Sequence, residues 1–369
     1  MTNTQEIEFG LDSFGEVTTD ASGRLLSDAE TVRLMIDEAV LAETVGIDSY
    51  NIGEHYRNQH VDSAGHVILA AIAGRTERIR LGTSVTVLST QDPVRLYAEF
   101  ATLDAASKGR AQLIVGRASS TESFPLFGFD LADYDTLFEE KLDLLLKLLR
   151  EQPVTWSGTV RSPLADQHVH PAVGPDGIPV WVGVGGTPES VVRAAYFNLP
   201  LMIAVIGGNP SRFAGHVDLY KRALDQFGRR PLPVGMHSLG LVAGTDEEAC
   251  SAYWPHWKAV MDTASKERGF TPPSLGHYEN EIAEGALFVG SPETVAQKIA
   301  TSVRALDLSR FDLKYDIGQL PLEHRAASID LYGREVIPRV RELLTPSAAV
   351  LPGAGGESDL HSSMEASSR

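Results

Sequence analysis

The chain has 369 residues, 43% of them hydrophobic and 22% charged, a composition able to bury a large core. Its formal charge of −17 excludes nucleic acid and anionic membrane surfaces as main partners, since both require a basic face. A single cysteine, Cys250, excludes an internal disulfide and a multi-thiolate zinc site, and its helical context reads as a small packing residue.

Short apolar runs alternate with longer amphipathic stretches along the whole chain. Predicted strands cover 7–11, 48–53, 79–87, 111–116, 178–183, 200–206, 234–243 and 310–315, each followed by a helical pattern. The helix over 28–46 takes Ser27 as its N-cap, carries acids in its first turn and ends at Gly46. Helices over 93–107 and 292–303 open on proline behind the caps Asp92 and Ser291, and a third proline start opens 187–197. The helix over 134–151 has a broad leucine face for the core, and one over 245–257 follows the seventh strand.

Eight strand–helix units predict an α/β fold with an all-parallel sheet, closed as a (β/α)8 TIM barrel. The units continue evenly and no linker divides them, so residues 1–344 are expected to form one domain. Insertions are expected after helix four (152–177) and before strand eight (265–290). The tail over 345–369, rich in Ser, Gly and Ala, is predicted to be disordered. The opening MTNTQEIEFG has no cationic segment before an apolar one, and no run approaches about 18 apolar residues. A cytoplasmic protein with no membrane partner is expected.

In such a barrel the active site is built from the loops after the strands. After strand two, 53-GEHYRNQH-60 offers Glu54, His55, Tyr56 and His60. His55 and His60 lack the H-E-x-x-H order of a helical zinc site, and 167-QHVH-170 has no further ligands in order. His168 and His170 are therefore assigned to an exposed strand, and no metal is expected. Glu54 is expected to tie the loop down. After strand four, Arg117 precedes Ser119, Ser120 and Thr121, the donors a phosphate needs, with a surface pair to Glu122 as the alternative. After strand five, Gly185, Gly186 and Thr187 lead into a helix start, where free N–H groups attract anions. After strand six, Gly207 gives a permissive turn. His237 in strand seven either points into the mouth or is a satisfied core histidine.

The stretches 53-GEHY-56, 78-RIRLGTSVTVLSTQDPVR-95, 103-LDAASKGR-110, 113-LIVGR-117, 180-VWVGVGGTPES-190 and 289-VGSPETVAQKI-299 occur together and in order. With them the chain resembles the bacterial luciferase-like flavin-dependent monooxygenases over residues 7–344. The resemblance implies reduced FMN at the barrel mouth, delivered by a separate flavin reductase and used with O2 on a small-molecule substrate. It implies the flavin ring against Thr83, Ser84 and Val85, where family members often have a non-proline cis peptide. It implies the phosphate at Arg117, Gly185, Gly186 and Thr187, and His55 as general base or as hydrogen-bond partner of the oxygenated flavin. Luciferase has a second phosphate-site arginine after strand four; here that region supplies Tyr134 and no arginine. Glu54, Tyr56, Gly207 and His237 are expected at the pocket. A homodimer is expected by the same resemblance. A deazaflavin hydride carrier in place of FMN, a non-catalytic flavin-binding subunit and a metal-dependent hydrolase are the alternatives.

Overall fold

The computed structural model describes residues 7–117 and 121–345. The predicted tail from residue 346 onward, and Ser119 and Ser120, lie outside the described residues. The strands are β1 (Glu8–Ser13), β2 (Ser49–Ile52), β3 (Arg80–Thr83), β4 (Thr86–Val87), β5 (Leu113–Gly116), β6 (Val154–Trp156), β7 (Leu164–Gln167), β8 (Val180–Val184), β9 (Leu201–Ala204), β10 (Val234–Val242), β11 (Leu287–Gly290) and β12 (Arg310–Lys314). The helices are α1 (Asp28–Thr44), α2 (Gly65–Ala73), α3 (Pro93–Ser107), α4 (Ser123–Phe127), α5 (Tyr134–Arg150), α6 (Pro188–Tyr196), α7 (Ala214–Gln226), α8 (Asp246–Arg268), α9 (Leu275–Ala283), α10 (Pro292–Leu306), α11 (Leu322–Leu331) and α12 (Ile337–Leu344).

Parallel pairing runs β3–β2–β1–β12–β10–β9–β8–β5–β4. The ring closes where Leu81 of β3 bridges to Ala111, just before β5, and where β4 pairs with β5. The result is the expected (β/α)8 barrel, with the third predicted strand split into β3 and β4 around a cis Ser84–Val85 peptide. Local chemistry fixes the helix starts as read from the sequence. Ser27 accepts from the Glu30 amide and the Glu30 side chain reaches back to the Ser27 amide at 2.9 Å, a reciprocal cap on α1. At α3 and α10 the side chains of Asp92 and Ser291 accept from first-turn amides, and each is followed by a proline at the first helical position.

The excursion after the fourth predicted helix is an antiparallel β6–β7 hairpin, and His168 and His170 lie just past it, exposed, as expected. The second insertion differs from the expectation. Helix α8 continues through Pro255 to Arg268, α9 follows, and 287-LFVG-290 forms β11, a further parallel strand beside the outer half of β10. These elements cover their own apolar cluster, which includes Tyr253, Trp257, Tyr278, Leu287 and Val289. A four-residue run between Gly285 and Gly290 carries too little periodicity to be read as a strand, and burial of Leu287 and Val289 supplies what propensity does not.

The barrel interior is unusually polar. Arg310 and Asp312 of β12, Asn51 of β2 and Gln112 form one fully buried network. Glycines at inward positions give it room: a Cβ on Gly82 would lie 2.6 Å from the Gln112 side chain. The outer layer between strands and helices is conventional aliphatic core.

Candidate functional site

The strand ends converge on one mouth, and each inward residue there is set by its strand. Strands β2 and β3 pair in register, Ile52 against Thr83, so the chain leaves them side by side as Gly53-Glu54-His55 and Ser84-Val85. Gly53 is required at that exit, since a Cβ would lie 2.8 Å from the Asp62 carboxylate and 2.8 Å from the Phe14 ring.

His55 is held by Asp62, a residue the sequence reading did not single out. Oδ2 of Asp62 lies 2.8 Å from Nδ1 of His55, and Oδ1 accepts from the His55 amide at 3.1 Å. Asp62 is fully buried, whereas His55 keeps a partly open edge. With Nδ1–H donating to the carboxylate, Nε2 carries the lone pair and is the nitrogen left to act as a base. The ring stacks on His60 at 4.7 Å and packs on Phe14 at 4.6 Å, and His60 is fixed in turn by the Phe14 carbonyl at 3.0 Å. The ligand-type atoms of His55, His60 and Asp62 lie within 4.8 Å of one another, a set compatible with a cation.

Glu54 turns away from the mouth. It accepts from the Val87 amide at 2.8 Å, Gln91 at 2.7 Å and the Tyr56 hydroxyl at 2.7 Å. Burial pushes its carboxyl above the ordinary value, and burial with the Glu54 charge pushes the Tyr56 phenol well up. Glu54 thus ties the loop down, as expected. Tyr56, expected at the pocket, spends its hydroxyl on that tie and sets its ring edge-on to Phe127.

The Ser84–Val85 peptide is cis, at the position expected. Thr83 Oγ1 donates to the Ile114 carbonyl at 3.2 Å and Ser84 Oγ donates to Asp12 at 2.9 Å, which fixes the step from both sides. Val85 packs on Ile114, Trp181 and Met202 inside the barrel. It fits because β5 and β8 present glycines there: a Cβ on Gly116 or Gly183 would lie 2.7 Å from a Val85 methyl. Gly183→Ala is therefore expected to displace the step. The check is ligand affinity at the mouth, which should fall by about 10-fold or more for overpacking of this size while the protein stays folded.

Across the mouth, Arg117 follows β5. It pairs with Asp135, donates to Ser190 Oγ at 2.8 Å and lies 5.0 Å over the Tyr134 ring. The expected alternative, a pair with Glu122, is not formed; Glu122 instead meets Arg57 at 3.3 Å. Burial raises the Tyr134 phenol. Thr187 is the N-cap residue of α6, yet its hydroxyl bonds Ser190 Oγ at 2.7 Å and leaves the helix amides without a side-chain cap. Gly185 has open space where a side chain would stand, and Gly186 adopts φ +102°, which favours glycine. Arg193, one turn along α6, joins the same cluster, 3.3 Å from Asp135 and 2.7 Å from Glu139. Helix α6 thus brings a second arginine to the cluster around Asp135.

His237 is buried, with Nδ1 on Asp12 and its ring parallel to Phe14 at 5.8 Å. Gly207 lies in the turn after β9, beside Gly208, whose amide is held by Glu281 of α9 at 2.9 Å. Leu126 and Phe127 after β5 and Ile206 after β9 are exposed apolar side chains, as are Phe270 and Leu275 between α8 and the start of α9.

A barrel with these loops is matched over residues 13–308 by the family model for luciferase-like monooxygenases. The chain belongs to that family. Among solved structures it is similar to the monooxygenase RslO1 of Streptomyces bottropensis, with a TM-score of 0.79, 22% identity and coverage of 90% of this chain and 99% of the other. It is also similar to the oxygenating constituent of 3,6-diketocamphane monooxygenase from Pseudomonas putida, solved in complex with FMN, with a TM-score of 0.71, 21% identity and coverage of 91% and 99%. Among curated relatives, an F420-dependent glucose-6-phosphate dehydrogenase of Nakamurella multipartita is 26% identical over 84% of this chain and 93% of its own length. No helix among the described residues is long and apolar enough to cross a membrane.

Proposed function

We propose that the chain is an FMN-dependent monooxygenase, which uses reduced flavin and O2 to oxygenate a small organic substrate. The observation that carries the reading is the pairing of two unlike ends at one mouth. A carboxylate-held histidine, His55–Asp62, stands beside the Ser84–Val85 step, and an arginine-bearing helix start stands beyond Gly116 and Gly183. The residues fit the cofactor on both counts. Arg117, Arg193 and the uncapped α6 amides suit a phosphate, for which the exposed Asp135 carboxylate is a weak stand-in. The cis Ser84–Val85 step, fixed through the Thr83 and Ser84 hydroxyls, is the bed we assign to the flat ring. FMN supplies the electrons and the activation of O2. The protein orients the ring, excludes water with its apolar mouth loops, and holds or moves a proton at Nε2 of His55. In this reading residues 1–344 act as one unit, reduced flavin comes from a separate reductase, and the protein works in the cytoplasm as a homodimer.

A deazaflavin-dependent dehydrogenase is the second reading, favoured by the relative from Nakamurella multipartita. One experiment separates the two. Anaerobic protein is titrated with reduced FMN and with a reduced deazaflavin, then mixed with oxygenated buffer while absorbance is followed. Tight FMN binding and reoxidation slower than in free solution support the monooxygenase. Binding of the deazaflavin alone replaces it with the second reading, and binding of neither leaves a non-catalytic role.

Arg117→Ala is expected to weaken FMN by about 10- to 100-fold, the size of one lost charge-assisted hydrogen bond set. Asp135→Ala should tighten it by removing the competing carboxylate. Fluorescence titration of FMN checks both signs, and equal affinity in Arg117→Ala removes that residue from the phosphate site.

A further inference from the structure

The loop from His55 to Asp62 holds a set of donors that acid–base work alone does not use. Asp62 is fully buried, and among the described residues its two oxygens accept only from the ring and the amide of His55. A buried carboxylate with so few donors is costly and keeps lone pairs to spare. Arg57, on the same loop, is turned to other acids, 3.3 Å from Glu122 and 3.0 Å from Glu267. His60 stacks on the His55 ring. Its Nδ1 lies 3.0 Å from the Phe14 carbonyl, which only accepts, so in the neutral ring Nδ1 carries the proton and Nε2 the lone pair. A ring nitrogen tied to a carbonyl in this way is how metal-ligating histidines are oriented.

The backbone brings these side chains together by itself. The Val17 amide donates to the Gln59 carbonyl at 2.9 Å and the Val61 amide to the Gly15 carbonyl at 2.9 Å, which zips 59–61 onto 15–17. Gly15 has φ +62°, and a Cβ there would lie 3.0 Å from Asp62, so glycine lets the two segments close. One nitrogen of each histidine and one Asp62 oxygen lie within 4.8 Å of one another. Nδ1 of His55 and Oδ2 of Asp62 already stand 2.8 Å apart. That is the spacing of adjacent ligands that each sit about 2.0–2.2 Å from one ion. Two imidazoles and one carboxylate suit a late first-row cation such as Zn2+, whereas Mg2+ prefers oxygen alone. The expectation of no metal rested on the two histidines without Asp62.

We propose that His55, His60 and Asp62 form a reversible site for a late first-row divalent cation of the Zn2+ type, and that occupancy switches His55 off as a base. The site stands on the geometry alone; the inhibition rests on the role of His55 in the proposed function. The ion bonds Nδ1 of His55 in place of the proton there, and that proton moves to Nε2, so no net proton is gained or lost. The ring then donates at Nε2 and no longer accepts. The Asp62 lone pair that selected the working tautomer is taken by the ion.

The test is calorimetric titration of the full-length protein, free of FMN, with Zn2+, and with Mg2+ for comparison. One Zn2+ per chain is expected, with no matching heat from Mg2+. His60→Gln and Asp62→Asn should each weaken Zn2+ by about 10- to 100-fold or more. His60 is only partly buried, so His60→Gln carries the test if Asp62→Asn fails to fold. His168→Gln with His170→Gln, which removes the exposed stacked pair past the β6–β7 hairpin, should leave the affinity unchanged. Absence of stoichiometric Zn2+ binding, or binding that survives His60→Gln, overturns the site whatever the flavin result. With the site present, Zn2+ should stop turnover with reduced FMN and O2, and excess chelator should restore it. Turnover untouched at full occupancy overturns the inhibition and, with it, the base role of His55. Failure of the wild type to bind either FMN or a deazaflavin overturns the proposed function and leaves the Zn2+ titration to decide the site.

Discussion

Asp62→Asn is expected to lower turnover with reduced FMN and O2 by about 10²- to 10⁴-fold, the range for a positioned acid–base group, while leaving FMN affinity unchanged. The carboxylate does three things for His55. It selects the tautomer with the proton on Nδ1, it orients the ring through the 2.8 Å contact, and it anchors the backbone amide at 3.1 Å. Asparagine keeps the size and one acceptor, so the loop holds. Its amide N–H, however, favours the tautomer with the lone pair on Nδ1, which removes the base from Nε2. His55→Ala should reach the same floor, and the double variant should fall no further, because the two residues act as one unit. The distinguishing readout is the pH profile of turnover, in which the limb due to His55 disappears in Asp62→Asn. A profile and rate like those of wild type would show that Asp62 is only a loop anchor.

Much of this arrangement was legible in the sequence, because the signals were local. Caps such as Ser27 with Glu30, and Asp92 before Pro93, fix helix starts within a few residues. Parallel strands buried on both sides read as apolar runs. The order of strand and helix then leads to a barrel and places 53-GEHY-56 and 183-GVGGTPES-190 at its mouth. What the sequence did not yield depends on contacts between distant segments. Asp12 and His237 are 225 positions apart, and nothing in either neighbourhood indicates that they meet. Asp62 lies only seven positions from His55, yet the aspartate in 60-HVDSAG-65 looks like an ordinary loop residue until the turn folds back. The roles of Gly116 and Gly183 were hidden for the same reason: what demands a glycine there is the side chain of Val85, on another strand. Arg193 was hidden by its position inside a helix, where an arginine normally faces solvent.

Arg310→Met is expected to destabilise the protein by about 3–5 kcal/mol, the cost of removing one partner from a buried ion pair. Arg310 is fully buried and contacts Asp312 on both carboxylate oxygens, Gln112 at 3.0 Å, Asn51 at 3.2 Å and Ser49 at 3.3 Å, with its guanidinium 5.4 Å over the Trp181 ring. Methionine fills much of the volume, so the loss is chiefly electrostatic: Asp312 and Asp12 are left together in the barrel without an arginine. Asp312→Leu combined with Arg310→Met should recover part of the loss, and the size of that recovery measures the pair itself. The midpoint of urea unfolding at constant slope is the measurement, and a cost below about 1 kcal/mol for the single variant would mean that water or relaxation reaches the floor. The pH dependence gives a second check. Asp312 has its folded value raised to about 7 from an ordinary 3.8, chiefly by burial. The folded state therefore holds a proton that the unfolded chain releases across that window, so this contribution is full below the unfolded value and is lost as pH rises through about 7. Arg310→Met removes the main opposing charge, raises the folded value further and should steepen the fall in stability on the alkaline side. Asp12→Asn removes a like charge and should make it shallower.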